Sequence, residues 1–314
     1  MRKIWFNGKI LDESEARLSV YDSALMFGDM VFEMTRSFNG VQFKLKEHLD
    51  RLIRSGKFVH IPMQEITTGL EAACAEVQEA NQFEPDDEHR LMINVSRGTL
   101  PMYSEACDTG TNIIITDFPL RWAVAGMGKL FEDGINAVIP SQRAIPAQFL
   151  DPKVKSRSRL HYQMANIEVS RYEGENNWAL LLDPDGYVTE GTGANLLFVK
   201  DEIVVGIETE NALRGISRKY VMDLSAEEDN LCWAQVMVCP YDIYSADEAF
   251  FTATPFCMLP VTSLNGTPIG YGRPGPVYKR LLAQWSDNVD VDIKAQIQAW
   301  DNGAKEGPSA YKFR

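Results

Sequence analysis

No stretch of this 314-residue chain is apolar for the roughly 18 residues that a membrane-spanning helix needs. Its start, Met1-Arg2-Lys3-Ile4-Trp5-Phe6-Asn7-Gly8, lacks the apolar core of a signal peptide. Positive charge is short too: 31 Lys and Arg face 44 Asp and Glu, a formal net charge of −13. That balance works against binding along a phosphate backbone, so neither nucleic acid nor a membrane is an expected partner. A local cationic pocket for one phosphate stays open. Cysteine is sparse and odd in number (Cys74, Cys107, Cys232, Cys239, Cys257), with no CxxC spacing, so neither a disulfide framework nor a zinc site is suggested. His48, His60, His89 and His161 are scattered, and no metal site is expected. There is no GxGxxG after a strand pattern, no GxxxxGK(S/T) and no G-x-S-x-G elbow, and nothing offers a hydrolase constellation. Tandem repeats are absent. A cytoplasmic globular protein is the expectation.

A chain of this length can bury a large core and divide in two. Loss of periodicity and small residues at Ala123, Ala125, Gly126 and Gly128 mark a linker at 119–128, between an N-terminal domain 1–118 and a C-terminal domain 129–285, with a tail at 286–314. Asn7-Gly8 and Asn39-Gly40 each lie between short apolar runs and predict hairpins. In the run 31–38, the two-residue period puts Phe32, Met34, Arg36 and Phe38 on one face, where Arg36 is either a pocket cation or an edge residue. Helices are predicted at 46–58, near 64–81, at 105–109, at 159–172 on a stripe of Leu160, Met164, Ile167 and Tyr172, from Ser217, and at 277–285. Strands are predicted at 90–96, 111–117, 135–140, 178–182, 187–189, 194–200, 203–205, 233–239 and 248–252.

Chemistry concentrates around Lys155. Lys153, Lys155, Arg157 and Arg159 alternate, so an extended chain points all four one way. They read either as a solvated basic edge or as the setting of a lysine with a free amine. Lysine loses its proton when desolvated or crowded by cations, and then forms Schiff bases with aldehydes. Glu190, at a strand end before Gly191 and Gly193, is either a turn carboxylate or an acid against a pyridine nitrogen, keeping the ring an electron sink. Leu213-Arg214-Gly215-Ile216-Ser217-Arg218 leads into a helix whose free N–H groups suit a phosphate, or Ser217 is a plain cap. Thr252-Ala253-Thr254-Pro255 is a second hydroxyl-rich turn. Glu47 precedes Arg51 by four residues, so a helical ion pair is the simple account of Arg51.

Five segments in order resemble the class IV, fold-type IV pyridoxal-phosphate aminotransferases, closest to the branched-chain amino acid type: Phe27-Gly28-Asp29-Met30-Val31-Phe32-Glu33, Glu47-His48-Leu49-Asp50-Arg51-Leu52, Lys155 with its helix, Glu190-Gly191-Thr192-Gly193-Ala194-Asn195, and Leu213 to Arg218. The resemblance implies an α/β (α+β) fold of two domains joined by a short linker, with pyridoxal 5′-phosphate at the domain interface, and a homodimer. It implies Lys155 as the Schiff-base lysine and proton shuttle, Glu190 on the pyridine nitrogen, Arg51, Ile216, Ser217 and Thr254 on the phosphate, and Asn195 in support. Phe27, Phe32, Arg36, Arg90 and Thr192 fall to the substrate, with Met34 and Trp122 adding apolar surface.

Four positions depart from the branched-chain pattern: Phe27 for a Tyr, His89 before Arg90, Pro255 after Thr254 without an N–H, and Gly206-Ile207 for a Thr-Pro. The stretch 96–104 lacks the Arg and His pair of D-amino-acid aminotransferases. The expected activity is amino transfer between a branched-chain-like or other hydrophobic amino acid and a 2-keto acid. A lyase of the aminodeoxychorismate type, a D-amino-acid or (R)-amine transaminase, and a non-catalytic binder are the alternatives.

Overall fold

The computed structural model describes residues 1–63, 68–103, 105, 110–228 and 231–303. The chain divides into two compact units: Met1–Trp122 with Val154–Arg159, and Ala123–Lys153 with the residues from Leu160 onward.

The first unit holds β1 (Lys3–Phe6), β2 (Lys9–Asp12), α1 (Ser23–Phe27), β3 (Met30–Met34), β4 (Ser37–Phe38), β5 (Val41–Gln42), α2 (Leu45–Phe58), α3 (Leu70–Ala80), β6 (His89–Ser96) and β7 (Asn112–Pro119). Five strands form a sheet in the order β2-β1-β7-β6-β3, antiparallel throughout. Asn7 and Gly8 turn the β1–β2 hairpin with positive φ, 45° and 88°, as this turn requires. Leu49 and Leu52 of α2 and Leu70 and Val77 of α3 pack with Val31, Leu91, Ile93 and Ile115 in one core. Truncating the fully buried Leu52 to Ala in such a core costs about 2–5 kcal/mol. The segment 154–159 belongs to this unit because its backbone bonds along β3. Phe32 N–H donates to Lys155 C=O (2.9 Å) and Arg157 N–H to Met30 C=O (2.8 Å), while Val154 enters the core.

The second unit, after α4 (Arg121–Val124) at its start, holds α5 (Leu130–Asp133), β8 (Ile135–Val138), α6 (Leu160–Val169), β9 (Asn177–Leu182), β10 (Val188–Gly191), β11 (Asn195–Lys200), β12 (Ile203–Ile207), α7 (Ile216–Glu227), β13 (Cys232–Val236), α8 (Pro240–Tyr244), β14 (Glu248–Ala253), β15 (Cys257–Leu264), β16 (Thr267–Pro268), α9 (Pro276–Asn288) and α10 (Ile293–Gly303). Its sheet runs β10-β9-β8-β15-β14-β11-β12-β13, with β16 on β15. Val188 N–H donates to Val238 C=O at 2.7 Å, so the chain just past β13 returns to β10 at the opposite edge. α7 packs on β12, β13 and β14 and α6 on β9. Buried Glu248 accepts from Val277 N–H (2.9 Å) and Tyr278 N–H (2.8 Å), capping α9.

Several expectations change. The run 31–38 is not one strand: it breaks at Thr35–Arg36, and Asn39-Gly40 turns only the short β4–β5 pair, held by Glu88, which accepts from Asn39 N–H at 2.7 Å. The predicted stripe of α6 faces outward. Leu160 is 74% exposed and Met164 47%, while Tyr162, Ala165 and Val169 form the buried face. The apolar stripe misled because a tyrosine with a buried hydrogen-bond partner took the inward position. β15 carries Pro260, which argues against a strand from sequence; it pairs with β14 on one side and β8 on the other, with a register shift between Val261 and Ser263. Within the expected tail lies α10, with Ile293 and Ile297 fully buried. The helix expected at 105–109 lies outside the described residues apart from Glu105, as do 64–67 of the helix near 64–81 and residues 304–314 of the tail.

Candidate active site

In the first unit the chemistry gathers on α2, β3 and the segment 154–159. Lys155 is fixed by its own backbone: its C=O accepts from Phe32, and its N–H donates to Ser55 Oγ at 3.1 Å. Its Nζ lies 4.9 Å from the centroid of the buried Phe32 ring. Arg157 (3.7 Å) and Arg159 (5.0 Å) face the same ring through their guanidinium carbons. The predicted alternation therefore holds for three of the four cations; Lys153 instead pairs with Glu210 and Asp151 in the second unit.

Arg51 pairs with an acid outside its own helix. The residue after Phe32, Glu33, is fully buried and takes Arg51 Nε at 2.5 Å and Nη2 at 2.8 Å, a two-pronged contact. Glu47 meets Lys44, at 3.5 Å. His48 Nδ1 is 2.7 Å from the same carboxylate. Burial opposes the charge on Glu33, but Arg51 outweighs it and holds the carboxyl well below the usual range. Burial pushes His48 down, so at neutral pH it is an uncharged donor through Nδ1–H and Arg51 is the counter-ion. Arg51 and Ser55 share a face of α2, which puts the Glu33–Arg51 pair one turn from the residue that pins Lys155.

The second unit gathers the remaining cofactor candidates. Glu190, at the end of β10, is buried, and its two oxygens accept from Tyr162 Oη (2.6 Å) and Asn195 Nδ2 (3.0 Å). Asn195 Nδ2 also donates to Leu213 C=O at 2.9 Å, which ties β11 to the loop before α7. Gly215 is required there: a Cβ would overlap Asn195 Oδ1. Ile216 and Ser217 open α7, whose N-cap Gly215 offers no side-chain cap to the N–H groups of the first turn. Thr254 opens the turn after β14, two residues past Thr252, which faces Asn195 across the β11–β14 pairing. Thr192 Oγ1 donates to Asn166 Oδ1 at 2.9 Å.

The substrate candidates are more dispersed. Phe27 ends α1 and is 68% exposed, and its C=O accepts from Ser158 Oγ at 3.3 Å. Arg90 on β6 donates from Nη2 to Met34 Sδ at 3.5 Å, and its guanidinium carbon lies 5.5 Å from the Phe118 ring centroid. Arg36 is drawn inward, 1% exposed, over Phe38 at 3.8 Å and with Nε on Ser37 C=O. Trp122 is 57% exposed beneath Arg2, at 4.7 Å. Sequence reasoning missed Glu33, His48 and Ser55 because their roles depend on pairing between elements. Tyr162 lies off the apolar stripe of α6, so no local pattern marks it.

Residues 30–264 match the model of the amino-transferase class IV family. The chain belongs to the class IV aminotransferases. A protein of Methanocaldococcus jannaschii that carries branched-chain-amino-acid aminotransferase as a provisional name is 34% identical over 300 residues, covering 95% of this chain and 99% of that one. The D-alanine aminotransferase of Bacillus licheniformis is 30% identical over 289 residues, 91% and 97% of the two chains. The branched-chain amino acid aminotransferase of Thermobaculum terrenum, solved in its pyridoxal-phosphate holo form, superposes with a TM-score of 0.79 at 25% identity, covering 96% of each chain.

This class IV aminotransferase works with pyridoxal 5′-phosphate. The residues present fit that group. A buried carboxylate oriented by two neutral donors suits a protonated ring nitrogen. A twelve-residue helix with an uncapped first turn, set against Asn195 so closely that only glycine fits at its cap, suits a phosphate. Among the described residues, no group of three His, Cys, Asp or Glu side chains could hold a metal ion. No described helix is long and apolar enough to cross a membrane.

Proposed function

We propose that this class IV aminotransferase moves an amino group between a hydrophobic, branched-chain-like amino acid and a 2-keto acid. The observation that carries the reading is Lys155, pinned at β3 and α2 by its own backbone, with its amine against the apolar face of Phe32. When bound, the cofactor supplies an aldehyde that takes the amino group and a ring that accepts electrons from the substrate α-carbon. Lys155 Nζ then moves the proton at that carbon, as a general acid and base. Glu190, oriented by Tyr162 and Asn195, keeps the ring nitrogen protonated. Ile216 and Ser217 donate backbone N–H groups to the phosphate, Arg51 gives it charge and Thr254 a hydroxyl. Phe27, Phe32 and Thr192 border the substrate, with Arg36 and Arg90 as candidate carboxylate partners.

The names of the M. jannaschii and T. terrenum relatives support a branched-chain donor. The D-alanine aminotransferase relative makes stereochemistry part of the test. Purified holoprotein is expected to be yellow and to bleach with L-Leu more readily than with D-Ala, D-Glu or a chiral aryl amine, and 2-oxoglutarate is expected to restore the colour. Faster bleaching by D-Ala reverses the donor assignment. Pyruvate released with no amino acceptor points to a lyase.

We read the protein as a cytoplasmic homodimer. Val20, Tyr21, Leu25, Met26, Phe27 and Met102, around α1, leave an apolar surface of the first unit exposed, which suits a second copy of the chain. The described cysteines are free, as in a reducing compartment.

A further inference from the structure

Arg157 lies two residues past Lys155, half-buried, and its surroundings are unusual for a guanidinium. Its hydrogen-bond partners among the described residues are all neutral: Asn94 Oδ1, reached by Nε (3.1 Å) and Nη2 (2.7 Å), and Met92 Sδ, 2.8 Å from Nη2. Its charge packs flat on Phe32, and Arg159 and Lys155 share that ring. Burial, then the nearby Arg159 and Arg90, push Arg157 down to about 10. A cation partly removed from water and crowded by cations is costly to hold unless an anion completes the site. With 44 acidic residues in the chain, a carboxylate neighbour was readily available; Asn94 and Met92 stand in the contacting positions instead. Asn94 engages the guanidinium from one side and Phe32 stacks on its plane, a fixed fork of the kind that receives a carboxylate.

We infer that Arg157, oriented by Asn94 and Phe32 and flanked by Arg90 and Arg159, is a specificity-determining residue that binds a carboxylate of the amino acid or keto acid beside Lys155. The inference rests on the amino-transfer reading for the identity of the ligand. The acid group is either the one on the reacting carbon or a second one at the far end of a dicarboxylic substrate. Both offer the same chemistry to Arg157.

The test uses the holoenzyme and two non-reacting acids of equal chain length, glutarate with two carboxylates and pentanoate with one, titrated by calorimetry. Wild type is expected to bind glutarate, and Arg157→Gln to weaken it by about 10- to 100-fold. Arg157→Lys, which keeps a charge and the packing stem but loses the fork, is expected to weaken it by less. If pentanoate binding falls equally, the acid on the reacting carbon is the ligand; if only glutarate binding falls, it is the distal one. In turnover, KM for 2-oxoglutarate rises with kcat little changed, while bleaching by 1-phenylethylamine, which has no carboxylate, stays as in wild type. Unchanged affinity for both acids in the folded variants overturns the inference, and so does a wild type that binds neither. Because the acids bind without reacting, an Arg157-dependent constant in a protein that transfers no amino group leaves the inference standing and removes the amino-transfer reading.

Discussion

Replacing Lys155 with Ala removes the amine but keeps both backbone hydrogen bonds that seat the residue. The expected result is a folded protein with near wild-type unfolding temperature, no Schiff-base absorbance, and turnover down by about a thousandfold or more; a spectrophotometer and a thermal melt check both halves. Glu33 is a different kind of residue. It need touch neither substrate nor cofactor, yet Glu33→Gln leaves the buried Arg51 without its counter-ion, a loss of about 3–5 kcal/mol in urea unfolding. Cofactor affinity, read by equilibrium dialysis, is expected to fall as well because the guanidinium loses its fixed orientation. The pair also shapes the acid limb of stability. The folded carboxyl holds its proton more weakly than the unfolded one, so acid favours unfolding. The stabilisation is complete above the unfolded value of 4.5 and is lost as pH falls below it. Comparing denaturation of wild type and Glu33→Gln from pH 7 to pH 3 is expected to show the gap between them narrowing on acidification.

Among elements, the start of α7 is tightly constrained. Gly215→Ala forces a methyl into Asn195 Oδ1, and Asn195 in turn holds Glu190 and the loop at Leu213. A loss of about 1–3 kcal/mol is expected, with weakened cofactor binding in a fluorescence titration; an unaffected titration would separate the cap from the phosphate. The sequence pattern puts the start of this helix at Ser217, two residues past its Gly215 N-cap, because a glycine cap carries no side-chain signal. α2 was legible, expected at 46–58 and found at Leu45–Phe58. The inward face of α6 was not, since Tyr162 is drawn in by Glu190, 28 residues away. Nor was β15, for which no strand was expected although its run is almost wholly buried. Motif residues such as Lys155, Glu190 and Arg51 could be named from sequence. The partners that orient them could not, because Ser55, Tyr162 and Glu33 sit on other strands and helices.

For the whole molecule, the apolar surface around α1 is the one proposed to meet a second copy of the chain. Leu25→Asp with Met26→Asp is expected to convert a dimer to monomers in analytical ultracentrifugation without lowering the unfolding temperature of the first unit, since both side chains are already exposed. The division of the chain has a consequence of another kind. The lysine-bearing segment 154–159 lies among residues of the second unit in sequence, yet it forms hydrogen bonds along β3 and sends Val154 into the first unit's core. During synthesis, a nascent chain that has emerged only to Trp122 therefore lacks the ribbon that covers β3. The first unit closes only after the ribosome has moved some thirty codons further, and a gene cut at the apparent boundary yields a fragment with an open sheet edge, prone to pairing with its neighbours.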